Sequence, residues 1–486
     1  MLWIALFLPD FALQLAERGD PEERAAVVVD GPRTRPWVLS CNAKARDCGV
    51  VPGMAVAAAR PLAGELVVWE RDPARESEAL EGIACWAAQF TPAVSVEPCD
   101  GLLLEVAATL TLHGGLAALL AKLREGMNGL GYRASVGVAP TATAAWLFAK
   151  ARQRGMAGRT CLTREALPAQ LASLPLSLFN WPEATLRTLA TLGIHTLDHC
   201  SALPRDGFVK RFGKAPREDL DRALGLIADP RPWFTPPEQF RRSLDFGFEV
   251  VTTAALLFPL QRLLTELQGF LRARGAGVLQ WELVLLHSRS GASTLTIGAS
   301  SPQRDASHLL SLAREHLARF TLPASVLGLR VVAERLHPFE ATSESWLPDP
   351  VRSGEDWSRL VDRLVSRLGP ERVYRLEPCD DHRPERTARK VAAAGSARQP
   401  KVPLLTAPRP LWLLATPRAL LTDDDGPLAQ GRLQLLAGPE RLESGWWDGR
   451  PTSRDYYVAR NPHGETFWVY REHKGREAWY LHGVFA

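Results

Sequence analysis

The side chains able to do chemistry near the start of the chain are carboxylates. Asp10, Glu97, Asp100 and Glu105 all fall within the first 105 residues. Carboxylates in that number are the type that clamps Mg²⁺ for phosphoryl transfer, provided two or three converge. The other reactive types are poorly placed. Cys41 and Cys48 are seven apart with no second pair, and no Cys-x-x-Cys occurs, so a zinc ribbon is excluded and both cysteines read as structural. His473 and His482 have no serine or cysteine in a nucleophile motif. Asp423-Asp424-Asp425-Gly426 begins like a calcium loop, but position twelve is Gln434 where a Glu is required, so it is an acidic turn. No metal site and no cofactor are expected.

The elements that must position these groups occupy 486 residues, enough for three or four domains. Charge is nearly balanced, 58 basic against 54 acidic residues, so any nucleic-acid surface must be a local patch. Seven cysteines, an odd number, argue against a disulfide framework and for a reduced cytoplasm. The apolar start lacks a basic leader and meets Pro9-Asp10 at once, which is unlike a signal peptide. No run approaches the roughly 20 apolar residues of a membrane span, so no membrane partner is expected.

Strands are expected at 2–8, 25–29, 37–39, 102–106 and 135–139, and helices at 75–90, 116–130 and 140–151, an α+β module. Short helices broken by Pro and Gly fill 167–234. Residues 240–332 then read strand, helix, strand, strand, helix, strand. A helix is expected at 357–368. Residues 383–401 carry Arg383, Arg386, Arg389, Lys390, Arg398 and Lys401 against one acid, Glu385, and read as a flexible basic linker. The last 80 residues look all-β. Ten aromatics lie between Trp446 and Phe485, in a chain with 15 Trp but 6 Tyr.

Four segments fall in the order and spacing of the Y-family translesion DNA polymerases. Leu6-Phe7-Leu8-Pro9-Asp10-Phe11-Ala12 is similar to their first motif, Asp-x-Asp-x-aromatic-aromatic-Ala. Cys41-Asn42-Ala43-Lys44-Ala45-Arg46, with Gly49-Val50 and Gly53-Met54, is similar to the fingers motif. Val96 to Val106 resembles the palm segment around Asp-Glu. Gly137-Val138-Ala139-Pro140-Thr141-Ala142, with Ala149-Lys150, resembles the fourth.

The resemblance implies an α+β multidomain chain with a Y-family polymerase fold and an added β-rich C-terminal domain. It divides the chain into a palm (1–10 and 71–166), fingers (11–70), a thumb with a helix-hairpin-helix (167–236) and an α+β little finger (237–340). A linker (341–408) and the β-rich domain (409–486) follow. Laid onto the motifs, the first metal-binding Asp corresponds to Leu6, the palm Asp to Asp100 and its neighbouring Glu to Gly101. The fingers Tyr corresponds to Ala43 and the palm Lys to Ala142, leaving Arg46 of the triphosphate group. One carboxylate of three remains. An apolar side chain and a glycine cannot ligate Mg²⁺, so a palm without polymerase activity is expected. Asp10, Glu97 and Glu105 keep no family spacing and read as solvated or ion-paired.

Such a degenerate palm resembles the ImuB group, Y-family paralogues of bacterial damage-induced mutagenesis. The tail segments Gly445-Trp446-Trp447-Asp448-Gly449-Arg450, Arg454-Asp455-Tyr456-Tyr457 and Leu481-His482-Gly483-Val484-Phe485 resemble that group's C-terminal domain. The resemblance implies a cytoplasmic, nucleoid-associated adaptor bringing an error-prone DnaE-type polymerase, a RecA-like ImuA partner and the sliding clamp to damaged DNA. An atypical active polymerase and a stand-alone damaged-DNA binder are the alternatives.

Each role has candidate residues. Leu192-Gly193-Ile194-His195-Thr196 reads as a helix-hairpin-helix turn. Gly193, His195 and Thr196 would meet a phosphate there, with Lys210, Arg211, Arg241 and Arg242 adding charge in a sequence-independent, salt-sensitive grip. Gln399, Val402, Leu404 and Leu405 resemble a clamp-binding peptide in an extended segment. Trp446, Trp447, Tyr456, Tyr457, Trp468, Trp479, His482 and Phe485 are candidates for partner binding, since Trp and Tyr are favoured at interfaces.

Overall fold

A computed structural model of the chain describes residues 1–18, 24–97, 101–156, 160–288, 291–339, 353–393, 408–473 and 478–485. Two compact units result, Met1–Arg367 and Leu368–Ala486. The first begins with β1 (Trp3–Phe7) and α1 (Phe11–Glu17), followed by β2 (Ala26–Asp30), β3 (Trp37–Cys41), α2 (Ala43–Asp47), α3 (Val56–Ala59) and β4 (Val67–Glu70). Strands β3-β2-β4 form a small sheet over a core of Val27, Val29, Val38 and Val50.

Helix α4 (Pro73–Ala87) starts where Asp72 accepts from the Ala74 and Arg75 N–H groups and Pro73 fills the first turn, where no N–H is needed. Then come β5 (Val94–Glu97), β6 (Gly101–Glu105), α5 (Leu116–Leu130), β7 (Ser135–Ala139) and α6 (Ala142–Gln153). The central sheet runs β5-β6-β1-β7, antiparallel at β1 with Leu6 opposite Leu102 and Val136. Alternation along β1 splits the core. Ile4, Leu6 and Leu8 pack with α4 and α5, whereas Trp3 and Ala5 pack with α6.

Five short helices follow: α7 (Leu167–Leu171), α8 (Glu183–Thr191), α9 (Leu197–Ser201), α10 (Arg205–Phe212) and α11 (Lys214–Ala223). Their apolar sides join the α6 core through Leu171, Leu189, Phe208 and Leu220. Next are β8 (Phe240–Val250), α12 (Leu257–Ala273), β9 (Ala276–His287), β10 (Ala292–Gln303), α13 (Ala306–Arg319), β11 (Val326–Ala333) and β12 (His337–Pro338). The sheet order is β10-β9-β11-β8, with α12 and α13 on its inner face.

Helix α12 also packs on α4 and α5. A buried ion pair closes that junction. Arg18 Nη2 lies 2.7 Å from Glu266 Oε1, and Arg18 Nη1 donates to the Tyr132 hydroxyl at 2.9 Å. The connector before β8 is pinned to the central sheet. Arg231 pairs with Glu97 at 2.7 Å, Trp233 stacks on Trp3, and the Phe234 N–H donates to Val94 O. Helix α14 (Ser353–Leu368) sits against β10 and α13 through Asp362, which accepts from the Ser300 N–H at 2.6 Å and meets His308 Nε2 at 3.1 Å.

The second unit corrects the expected linker. Residues 374–392 form an antiparallel hairpin, β13 (Tyr374–Pro378) and β14 (Ala388–Ala392), and basic residues of the supposed linker are tied to acids. Arg389 pairs with Glu377, and Arg383 and Arg386 with Asp448. The rest is β15 (Trp412–Ala419), β16 (Leu421–Asp423), β17 (Gly426–Leu428), β18 (Gln434–Ser444), β19 (Thr452–Arg460), β20 (Thr466–Glu472) and β21 (Trp479–Val484). The main sheet runs β15-β21-β20-β19-β18, with Phe467 and Val469 on one face and Tyr456, Trp468 and Tyr470 on the other.

Candidate functional site

The mouth of the central sheet lies where β1 ends beside the start of β6. Leu6, the expected place of a metal ligand, is wholly buried among Ile4, Leu8, Leu102 and Leu104. A carboxylate there would be desolvated inside an apolar core. The side chain bordering the mouth is its neighbour Phe7, on the opposite face and in register with Gly101. Strand alternation could have shown this, because Ile4, Leu6 and Leu8 form one continuous apolar side.

Phe7 packs edge-on to Trp146 at 5.6 Å, and Lys150 Nζ stands 5.6 and 5.7 Å from the two ring centres while donating to Asn180 Oδ1 at 2.9 Å. Gly101 holds φ of 149°, and a Cβ there would come 1.9 Å from the Leu6 carbonyl oxygen. No side chain fits at that position without moving β1. Asp100 lies outside the described residues.

The remaining acids are engaged elsewhere. Asp10 lies 3.3 Å from Arg46, Glu97 is held by Arg231, and Glu105 accepts from the Leu2 N–H at 3.0 Å. Ala43 opens α2 at the surface and Ala142 is buried at the start of α6. The α6 N-terminus is closed by Asp229, which accepts from the Thr143 N–H and hydroxyl. No group of three His, Cys, Asp or Glu side chains among the described residues could hold a metal. Leucine, phenylalanine, glycine and a lysine do not make a donor set for Mg²⁺.

The expected cationic grip divides in two. Gly193, with φ of 77°, turns the chain between α8 and α9, and His195 is exposed. The next N–H groups, of Leu197 and Asp198, are taken by the Leu174 and Ala172 carbonyls, so the turn is partly closed by its own chain. Thr196 pairs with Pro175 in an isolated bridge. Lys210 and Arg211 are exposed in the last turn of α10 and have no acidic partner among the described residues, whereas Arg205 and Arg217 meet Asp221.

Arg241 and Arg242 separate, because adjacent strand residues face opposite ways. Arg241 is on the open face of β8, 3.7 Å from Glu334. Arg242 turns toward the Cys85 sulfur at 3.6 Å, which places one side of its guanidinium at the junction with α4. Burial pushes the Cys85 thiol up.

The aromatic tail divides similarly. Tyr456 stacks on Trp468 at 4.0 Å, and its hydroxyl lies 2.8 Å from His482 Nδ1. All three are buried, so they form core and cannot meet a partner, contrary to expectation. Burial lowers the His482 imidazole to about 4. Tyr457 and Trp479 pack together at 5.2 Å, and Phe485 lines the opposite core. Trp446 and Trp447 remain exposed, at 74% and 57%.

Asp448, next to them, accepts from Arg383 at 2.8 and 3.1 Å and from Arg386 at 2.6 Å. The Arg383 hydrogen bonds hold its carboxyl at about 2. Arg383 was missed as a site residue, since its partner is 65 positions away. Gln399, Val402, Leu404 and Leu405 lie outside the described residues.

Residues 6–150 match the impB/mucB/samB family. The chain is 30% identical to Protein ImuB of Caulobacter vibrioides (strain NA1000) over 463 residues, covering 90% of this chain and 100% of the relative. It is 27% identical to a DNA polymerase IV of Dehalococcoides mccartyi over 54% of this chain and 68% of that one. A crystal structure of DinB from Sulfolobus solfataricus is similar over 70% of this chain and 100% of its own, with 18% identity and a TM-score of 0.41. No helix among the described residues is long and apolar enough to cross a membrane. The chain belongs to the ImuB family, relatives of the Y-family DNA polymerases with a part in tolerance of damaged DNA.

Proposed function

We propose that this chain is a non-polymerising, DNA-binding adaptor of translesion synthesis. It links an error-prone DnaE-type polymerase, a RecA-like ImuA partner and the sliding clamp at damaged DNA. The observation that carries the reading is the mouth of the central sheet. Phosphoryl transfer needs carboxylates around two Mg²⁺ ions to neutralise the charge developing on the phosphoryl oxygens. Here the end of β1 offers Leu6, Phe7 and Leu8, the start of β6 offers Gly101, and a lysine ammonium stands over the Phe7 and Trp146 rings.

DNA contact is assigned to Lys210, Arg211, His195 and the Gly193 turn, with Arg241 as a weaker contributor. The clamp contact is assigned to Gln399, Val402, Leu404 and Leu405. Protein partners are assigned to the second unit. Primer extension on undamaged and lesion-bearing templates, with Mg²⁺ and with Mn²⁺, tests the central point. No incorporation is expected. Robust incorporation that disappears in Asp100→Ala would overturn the adaptor reading in favour of an atypical polymerase.

A further inference from the structure

We propose that the turn between β2 and β3, together with Trp37 and the end of α3, binds single-stranded DNA along a second track, away from the mouth of the central sheet. The proposal rests on the DNA-binding half of the adaptor reading and adds a site to it. Residues 31–64 carry Arg33, Arg35, Lys44, Arg46 and Arg60 against one acid, Asp47, a net charge of +4. The whole chain carries the same +4, so this short stretch is a local basic patch that the near-neutral total conceals.

Backbone hydrogen bonds bring the parts of the patch together. Residues 53–56 close the outer edge of β3. Gly53 N–H donates to Val38 O and Val38 N–H to Met54 O, both at 2.8 Å, and Val56 N–H donates to Pro36 O at 3.1 Å. Helix α3 starts at that last bond, and Arg60 follows its single turn, about 6 Å along the axis from Val56. The β2–β3 turn folds as Arg35 N–H donates to Pro32 O at 2.8 Å, with Arg33 inside it. Trp37 lies back on this turn. A Cβ at Gly31, where φ is 100°, would come 2.1 Å from the indole, so the glycine makes room for the ring. Trp37 is still 42% exposed.

The cations around the indole are uncommitted. Arg33, Arg35 and Arg60 are exposed, and among the described residues their guanidinium groups meet no acid. Asp30, at the foot of the turn, is taken by Arg71 at 3.1 Å and by the Gly31 N–H at 2.6 Å. Arg46 differs, being paired with Asp10 just past β1. It belongs to α2, beyond Cys41, and β3 separates Cys41 from Trp37 by about 13 Å. The patch is therefore at the far end of the small sheet from the mouth. Cations able to follow phosphates, set around an exposed aromatic ring, are the composition of a single-strand track. Stacking on the indole requires an unstacked base, which duplex DNA does not offer.

The test measures affinity of the full chain for fluorescein-labelled oligothymidylate, blunt duplex DNA and polyglutamate over a range of salt. Arg33→Gln, Arg35→Gln and Arg60→Gln together should weaken oligothymidylate binding about 10-fold. They should also lower its slope of log affinity against log salt by about 2, since each single-strand phosphate contact contributes about 0.7. Blunt duplex binding, assigned to α10, should hold, and so should the thermal midpoint, because all three side chains are exposed. Trp37→Leu should weaken oligothymidylate binding about 10-fold with the salt slope unchanged, which separates stacking from charge. Unchanged oligothymidylate affinity and slope in the arginine variant refute the track, and a loss of polyglutamate binding in their place gives the patch to an acidic protein. Equal losses on oligothymidylate and blunt duplex also refute it. If the wild type binds duplex but not oligothymidylate, this inference fails alone; if it binds neither DNA, the DNA-binding reading itself fails.

Discussion

Arg18 and Arg383, one in each unit, are both withdrawn from solvent, and they serve opposite ends. Arg18 is buried between Glu266 and Tyr132, where it joins α12 to the helices behind the central sheet. Arg383 is equally hidden, but its carboxylates are partly exposed and lie at the base of a loop that holds two indoles outward. The first cation closes a core, and the second supports a surface. A count of charges cannot tell these apart, and neither can the near-neutral total of the chain. What matters is whether a cation is already committed, and to what.

The largest expected effect is at Arg18. Glu266→Ala leaves a buried guanidinium without its counter-charge, which costs about 3–5 kcal/mol. Urea denaturation of the full chain should show this as an early transition in the first unit. Arg18→Met with Glu266→Leu should recover most of the loss, because removing both charges also removes their desolvation cost. A Glu266→Ala chain as stable as the wild type would show that the junction does not depend on the pair. Arg383→Gln should leave that first-unit transition in place, which is the sense in which the two arginines differ.

Much of the fold was legible because its signals are local. Asp72-Pro73 starts α4, Gly131 ends α5, and Asp305 caps α13 by accepting from the Ser307 and His308 N–H groups. What was illegible depends on distance or on parity. Residues 383–392 looked like part of a basic linker because acids that pair with its arginines, Glu377 across the hairpin and Asp448 beyond β18, are distant in sequence. Leu6 and Phe7 differ by one residue, yet one is in the core and the other at the mouth. Tyr456, Trp468 and His482 alternate as strand residues should, but only packing decides that their face is closed. Asp448 was visible within Trp-Trp-Asp-Gly, and its task was not.

A smaller effect separates the units by pH. His482 is held neutral by burial, with its pKa lowered to about 4 from an ordinary 6.5. The unfolded chain therefore binds a proton that the folded chain refuses between those values, and stability falls as pH drops through that window. The loss should reach about 2 kcal/mol by pH 5 and should be confined to the second unit. Asp448, lowered to about 2, keeps its charge throughout, so the base of the Trp loop outlasts the His482 change. Urea midpoints measured at neutral pH and at about pH 5 test this. A slope that persists unchanged in His482→Gln would assign the effect to another group.

The smallest effect concerns cations that have no acidic partner among the described residues. Lys210 and Arg211 end α10 without an acidic partner among the described residues, whereas Arg242 is spent on the Cys85 side of α4. Each free cation that meets a phosphate releases a counterion, so removing it should lower the slope of log affinity against log salt by about 1. Lys210→Ala and Arg211→Ala should each do this on duplex of any sequence, with modest losses of affinity at physiological salt. Arg242→Ala should leave the slope alone and lower thermal stability instead, because it removes packing at the junction with α4. Arg241→Ala falls between, its guanidinium weakly shared with Glu334. A salt slope that drops for Arg242→Ala and holds for Lys210→Ala would place the DNA on the β8 side and reverse the assignment of committed and free cations in the first unit.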